Sequence, residues 1–275
     1  MILLKKIVIF YFSGTGNTWW ATGRLTEYLK GMGADVTFFS IEQVDTELSD
    51  RLIAGCGTVG FGYPIYGSDV PEIMKDFMKD LAPSGKDAFV YCTQWLWSGD
   101  GARVSAEFLS NKFRIKWAEH FAMPNNVSVS AIRLPYTNDK RRINKILKRA
   151  DRRIKRLVLK IVSEKPFLRG FSAVSACSGY IQRGPFRYFF GRLRNDINVE
   201  IKKCNFCGYC VKLCPVSNLI LDGNTVSTLG SCIMCLRCYS FCPRMAVTYM
   251  KKLHNPERGD PYRGPVDGFD PELMQ

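Results

Sequence analysis

Eight of the eleven cysteines fall into two runs of identical spacing. The first is Cys204-Asn-Phe-Cys207-Gly-Tyr-Cys210-Val-Lys-Leu-Cys214-Pro215, and the second is Cys232-Ile-Met-Cys235-Leu-Arg-Cys238-Tyr-Ser-Phe-Cys242-Pro243. Both read C-x2-C-x2-C-x3-C-P, and every cysteine of the second lies 28 positions after its counterpart. The C-terminal part of the chain must therefore fold as two matching short loops that gather sulfur. The spacing suits two [4Fe–4S] clusters. Zinc, the main alternative, needs only two C-x2-C pairs per site and explains neither the third cysteine nor the proline. Disulfides are disfavoured because Met1–Phe10 is interrupted by Lys5-Lys6, lacks a small-residue cleavage site and reads on as a strand, so nothing points to export.

The composition, 46% hydrophobic and 23% charged, is that of a soluble chain, and 275 residues allow two domains. No apolar run approaches the roughly 20 residues of a membrane helix. The expected location is cytoplasmic, or peripheral at most. The net charge of +14 is concentrated in 138–165, with twelve Lys or Arg against three acids. There Ile143, Ile146, Leu147, Ala150, Ile154, Leu157, Val158 and Ile161 recur at three- and four-residue steps, which predicts an amphipathic helix with a basic outer face. That face is either simply solvated or docks an acidic redox protein or an anionic membrane surface. Nucleic acid is disfavoured because no recognition motif accompanies the charge. A homodimer is compatible with the sequence.

The front half alternates strands and helices. Lys5–Phe12 reads as a doubly buried strand, followed by Ser13-Gly14-Thr15-Gly16-Asn17-Thr18 and a helix from Trp19 to about Gly31. Strand, small-residue loop and helix start make an anion site of backbone N–H groups and hydroxyls. No Gly-Lys-Ser/Thr follows, and Trp19 stands where a dinucleotide fingerprint has its third glycine. The pattern suits a phosphate monoester held by neutral donors. Further strands are expected at Ala34–Ser40, Gly57–Phe61, Asp87–Cys92 and Lys116–Met123, with helices over about Pro71–Asp80 and Ala102–Asn111. This is a doubly wound parallel five-stranded α/β sheet, whose ligands sit beyond the carboxyl ends of its strands.

The loop Ser13-x-Thr15-Gly16-x-Thr18 resembles the phosphate loop of flavodoxins, which bind FMN. With the two cysteine runs, the whole chain resembles the flavodoxin–ferredoxin fusion proteins of anaerobic bacteria and archaea. The resemblance implies a flavodoxin-like FMN domain over 1–165, a packing segment over 166–196, a small α+β two-cluster ferredoxin-like domain over 197–250 and a tail over 251–275. It implies that Ser13, Gly14, Thr15, Gly16, Asn17 and Thr18 hold the phosphate. Tyr63, Pro64, Ile65, Tyr66 and Gly67 would border the flavin ring, with Thr93, Gln94, Trp95, Trp97 and Gly99 forming its other wall. Tyr66, Trp95 and Trp97 are the stacking candidates. Typical flavodoxins carry an acidic, Tyr-containing loop where this chain has Trp95-Leu96-Trp97-Ser98-Gly99-Asp100-Gly101. By the same resemblance the fourth cysteine of each run crosses over, so Cys204, Cys207, Cys210 and Cys242 hold one cluster, and Cys232, Cys235, Cys238 and Cys214 the other.

Cys56, Cys92 and Cys177 read as inert thiols, and His120 and His254 lack an acid–base partner in sequence. Asn125-Asn126, at the ligand edge, either closes over the flavin or forms a turn, with the turn favoured, while Phe167–Asp196 reads as an irregular linker with a short helix at Phe186–Phe190 and the tail as extended over the surface. Lys203, Lys212 and Arg237 beside the ligands would favour reduced clusters and help dock an acidic partner. The expected function is one-electron transfer between clusters and FMN as a carrier between redox proteins. The alternative is an FMN-dependent reductase of a quinone, nitro compound or similar acceptor, fed by ferredoxin through the clusters.

Overall fold

A computed structural model describes residues 5–132, 134–194 and 196–275. Met1–Leu4, part of the segment read above as free of export signals, lie outside the described residues. The apolar runs form β1 (Lys6–Tyr11), β2 (Asp35–Ser40), β3 (Thr58–Pro64), β4 (Asp87–Gln94) and β5 (Arg114–Ala122), joined or followed by α1 (Asn17–Gly31), α2 (Thr46–Ala54), α3 (Glu72–Asp80), α4 (Ala106–Leu109) and α5 (Lys140–Val162). All strand pairs are parallel and the order is 2-1-3-4-5, the doubly wound flavodoxin-like arrangement. A sixth strand, β6 (Phe167–Leu168), pairs with β5 at Trp117 and Ala118, so the sheet has six strands and not the five expected. Two residues carry too little periodicity to be read as a strand.

Helices cover both faces. Leu25 and Leu29 of α1 and Leu147, Ile154, Val158 and Ile161 of α5 pack on Ile7, Ile9, Phe89 and Trp117. The apolar stripe of α5 is thus spent on the core, and its cations point outward. On the other face Ile53 of α2, Met74 and Met78 of α3 and Leu109 of α4 cover Val8, Phe10, Val59 and Val90.

The segment expected to be an irregular linker is instead a 21-residue helix, α6 (Ala173–Leu193), which includes the short helix anticipated near Phe186. Its periodicity is hidden because apolar Val174, Tyr180 and Ile181 face solvent while polar Arg183 and Gln182 turn toward protein. Arg183 bonds the Ser68 carbonyl and Asp100, and Gln182 meets Ser68. Gly179 lies against Gly99, where any Cβ would come within 2.5 Å of the Gly179 nitrogen.

The C-terminal part comprises β7 (Ile197–Val199), α7 (Tyr209–Lys212), β8 (Leu219–Asp222), β9 (Thr225–Thr228), α8 (Arg237–Phe241) and β10 (Val247–Tyr249), with antiparallel pairs β7–β10 and β8–β9. It is not an appended bead, because Ile233 and Cys235 belong to the same apolar cluster as Phe10, Phe12 and Tyr63. The tail returns across the molecule. Tyr262 is buried and donates to Asn17 Oδ1 at 2.6 Å, and Met274 packs with Leu213, Phe241, Trp19 and Phe269.

Candidate cofactor site

The carboxyl ends of β1, β3 and β4 open into a cavity of ≈ 200 Å³, against the roughly 10–15 Å³ that a single water needs. Ser13, Gly14, Thr15, Asn17 and Thr18 form one wall, Pro64 to Gly67 a second, and Thr93, Gln94 and Trp95 a third. The fourth combines Asn125 and Asn126 after β5, already placed at the ligand edge, with residues that were not anticipated: Val127, Phe186 of α6, and Met234, Leu236 and Tyr249 from around the second cysteine run. No local signal in the sequence joins these segments, since only the folded topology brings them together.

The Ser13–Thr18 loop is rigid and open to an anion. Ser13 Oγ accepts from the N–H groups of Gly16 and Trp19 at 3.1 and 3.3 Å. Thr18 and Thr93 hydroxyls meet at 2.8 Å, and Asn126 Nδ2 donates to Thr15 Oγ1 at 2.8 Å. Asn125-Asn126 therefore fastens the loop rather than merely turning the chain. Helix α1 begins after Gly16 (φ 97°), which has no side chain to cap it, and no acid stands in its first turn, so apart from the Ser13 contact to Trp19 its positive end is available. Tyr66 and Tyr249 line the cavity, and their buried hydroxyls, close to the thiols of Cys232 and Cys235, have no hydrogen-bond partner among the described residues. Buried polar groups are ordinarily satisfied, so a polar ligand fits here. Burial pushes both phenols above their ordinary range, with nearby cysteines adding to the shift.

Four residues expected at the flavin do not line the cavity. Tyr63 is buried in the core, donating to the Gly101 carbonyl at 2.9 Å. Gly16 packs under Phe269 and Pro265 of the tail, and Gly99 packs against α6. Trp97 is 57% exposed and points away. Of the three stacking candidates, Tyr66 and Trp95 border the cavity.

The two cysteine runs adopt the same backbone, 28 residues apart. Phe206 and Met234 have φ of 56° and 57°, Gly208 and Leu236 of 71° and 63°, and Ser217 and Met245 of 49° and 47°. Left-handed backbone at Phe, Leu and Met is unfavourable and persists only where the surroundings impose it. It turns amides toward sulfur. Phe206 N–H donates to Cys204 Sγ (3.3 Å), Met234 to Cys232 (3.2 Å), Asn218 to Cys214 (3.2 Å) and Ala246 to Cys242 (3.3 Å). Gly208 caps the start of α7.

The thiols fall into two neighbourhoods. Burial, then the charges of Cys242, Cys204 and Cys207, pushes Cys210 up to about 11. Burial likewise raises Cys232 to about 11 and Cys235 to about 12, each with Cys214 beside it, and raises Cys238 well above its usual value, with Cys235, Cys232 and Cys214 as its main neighbours. Such groups ionise readily only around a cationic centre. Among the described residues no three His, Cys, Asp or Glu side chains stand close enough to share one ion. In the second neighbourhood Cys232, Cys235 and Cys238 are buried, whereas Cys207 in the first is exposed.

Loop and cysteine run touch. A Cβ on Gly14 would lie 2.9 Å from the Cys235 carbonyl oxygen and 2.7 Å from Tyr66 Oη, so only glycine allows this approach. Arg237 locks the junction. It is fully buried, donates to the carbonyls of Ser13 (2.7 Å), Gly14 (3.3 Å) and Leu213 (3.3 Å), and forms a two-point pair with Glu42 at 2.5 and 2.8 Å. Its expected part in docking a partner is thereby corrected, since no surface remains to it. Lys212 pairs with Glu272 of the tail at 2.6 Å.

The other candidates are structural. His120 accepts at Nε2 from the Ala102 N–H at 3.2 Å, and burial lowers its pKa to about 4. His254 lies between the Tyr239 hydroxyl (3.0 Å) and the Gly259 carbonyl (2.7 Å). Cys56 and Cys92 are buried and raised by that burial, and Cys177 is exposed on α6.

Residues 196–243 match the model of a 4Fe-4S dicluster domain, so this part of the chain is an iron–sulfur cluster domain. No curated protein matches the chain. Solved structures similar to part of it include a flavodiiron core from Synechocystis sp. PCC6803 (14% identity, TM-score 0.42, 60% of this chain and 38% of that one). A flavodoxin from the domain Archaea aligns at 17% identity and TM-score 0.40 over 57% of this chain and 98% of its own. Two-electron reduced Megasphaera elsdenii flavodoxin aligns at 24% identity and TM-score 0.38, over 44% and 90%. Each of these similarities covers only part of this chain.

Proposed function

We propose that the chain is an iron–sulfur flavoprotein that moves low-potential electrons between two [4Fe–4S] clusters and FMN, as a carrier between redox partners. The single observation that carries this is the contact of Gly14 with Cys235, which sets the anion loop directly against a cluster loop. FMN, when bound, supplies exchange between two-electron and one-electron chemistry, whereas clusters carry single electrons. Ser13–Thr18 and the start of α1 would hold its phosphate, Tyr66 and Trp95 its ring, and the Tyr66 and Tyr249 hydroxyls its polar edge. Cys204, Cys207, Cys210 and Cys242 would hold the outer cluster, and Cys214, Cys232, Cys235 and Cys238 the inner one. Exposed Lys202 and Lys203, beside the outer group, suit an acidic redox protein.

The test is anaerobic mixing with a reduced ferredoxin while the visible flavin band is followed. Wild type should bleach, and Cys235→Ser with its flavin retained should bleach slower by orders of magnitude. Equal rates in both would refute transfer through the cysteine runs. A second reading, reduction of a small acceptor over the flavin, is favoured by Trp95, which lines the cavity and also opens onto the surface groove beside α5.

A further inference from the structure

Helix α6 is inside out. Gln182, Arg183 and Arg187 hold Ser68, Asp100 and Asp69 of the loops beneath. The opposite side presents Val174, Tyr180 and Ile181 at 79%, 76% and 65% exposure. Leu96 and Trp97, 69% and 57% exposed, belong to the loop that reaches the inner side of α6 where Gly99 meets Gly179, and they add exposed apolar surface beside that helix. On its other flank the same loop reaches the basic helix, where Trp95 shares a groove with Lys145 and Arg149 of α5. A further groove along α5 is lined by Asn144 and five Lys or Arg residues.

Large exposed apolar side chains gathered in one place mark an interaction surface. Here they adjoin a row of cations, the two halves of an interfacial membrane contact. Apolar groups enter the acyl boundary, Trp and Tyr lie at headgroup level, and Lys and Arg meet anionic headgroups. An acidic protein would match α5 but leave the Ile181–Trp97 face uncovered. We infer that α6, the 95–97 loop and the outer face of α5 together dock the protein on an anionic lipid bilayer. No helix among the described residues is long and apolar enough to cross a membrane, so the contact is peripheral. Because Trp95 also lines the cavity, docking turns its mouth toward the bilayer and suits a lipid-soluble acceptor. That last clause rests on the proposed flavin site, whereas the docking does not.

The test is co-sedimentation of the intact, cofactor-loaded protein with phosphatidylcholine vesicles, with and without phosphatidylglycerol, over a salt series. Binding should require phosphatidylglycerol and weaken with salt. Reversing Lys145, Lys148, Arg149 and Arg152 to Glu should lower affinity by on the order of 10²-fold or more, at about fivefold per lost charge. Ile181→Glu with Trp97→Glu should lower it at least about tenfold while cofactor absorbance is unchanged. Absent binding, binding indifferent to both variants, or equal binding to neutral vesicles would overturn the inference. So would vesicle-free dimerisation abolished by Ile181→Glu, which would assign the face to a second copy. None of these readouts depends on electron transfer, so failure here is distinguishable from failure of the proposed function.

Discussion

The junction between the anion loop and the second cysteine run is expected to weaken when either Arg237 or Glu42 is replaced, and to lose less than the sum of the two when both are replaced. Arg237 is fully buried and Glu42 has a side-chain exposure of 10%. Removing one member of a buried, hydrogen-bonded pair costs about 3–5 kcal/mol, because the other charge is left without compensation. Glu42→Gln retains some hydrogen bonding and its site is slightly wet, so about 3 kcal/mol is expected. Arg237→Met also strips a donor from the Ser13, Gly14 and Leu213 carbonyls, placing it at about 4 kcal/mol. Arg237→Met with Glu42→Gln leaves no buried charge, and a coupling of about 2–3 kcal/mol should return. At roughly 2–4 °C per kcal/mol for a chain of this size, each single variant should lower the melting temperature by about 6–16 °C. Scanning calorimetry of the loaded protein under anaerobic conditions, run on all four members of the cycle, reads these values. Single variants within about 1–2 °C of wild type, or a double variant as low as the sum of the singles, would refute the claim that this pair locks the two parts together.

Gly67 has φ 59°, and a Cβ there would lie 1.9 Å from Phe186 Cγ. Gly67→Ala should therefore push α6 off the loop at a cost of about 1–3 kcal/mol, read as faster proteolysis within 173–193, and an unchanged digestion pattern would count against that packing. Tyr66→Phe and Tyr249→Phe remove hydroxyls that lack a protein partner, so the flavin-free protein should lose no stability, whereas FMN affinity measured by fluorescence titration should fall about 2–12-fold if they bind the ligand. His120 titrates at about 4 in the fold and near 6.5 unfolded, so the unfolded chain takes up the extra proton between those values. Its contribution is complete above about pH 6.5 and declines as pH falls toward 4, by up to ~3 kcal/mol. Glu119, whose carboxyl is raised by burial, acts with the opposite sign. The difference between wild type and His120→Gln in urea midpoints across this pH range isolates the histidine, and identical pH profiles would show that it does not titrate in this way.

Legibility in the sequence followed the physics of each element. Doubly buried strands such as β1 and β4 read clearly, because a run like Ile7–Phe10 has no other stable home. The apolar stripe of α5 was equally plain. Helix α6 was not, because Gly179, Gly184 and Pro185 argue against a helix and its exposed apolar face inverts the usual pattern. The cysteine runs could be read because their spacing is local. Most of the fourth wall of the cavity could not, since Phe186, Met234 and Tyr249 are joined to it only by the fold. Arg237 reads as a surface cation in sequence. Its burial depends on Glu42, almost 200 residues earlier.

The central claim is that one chain holds two four-iron clusters against one flavin, and cofactor stoichiometry after anaerobic purification tests it most directly. About eight irons, about eight sulfides and about one FMN per chain are expected. About two zincs per chain with no visible chromophore would contradict it.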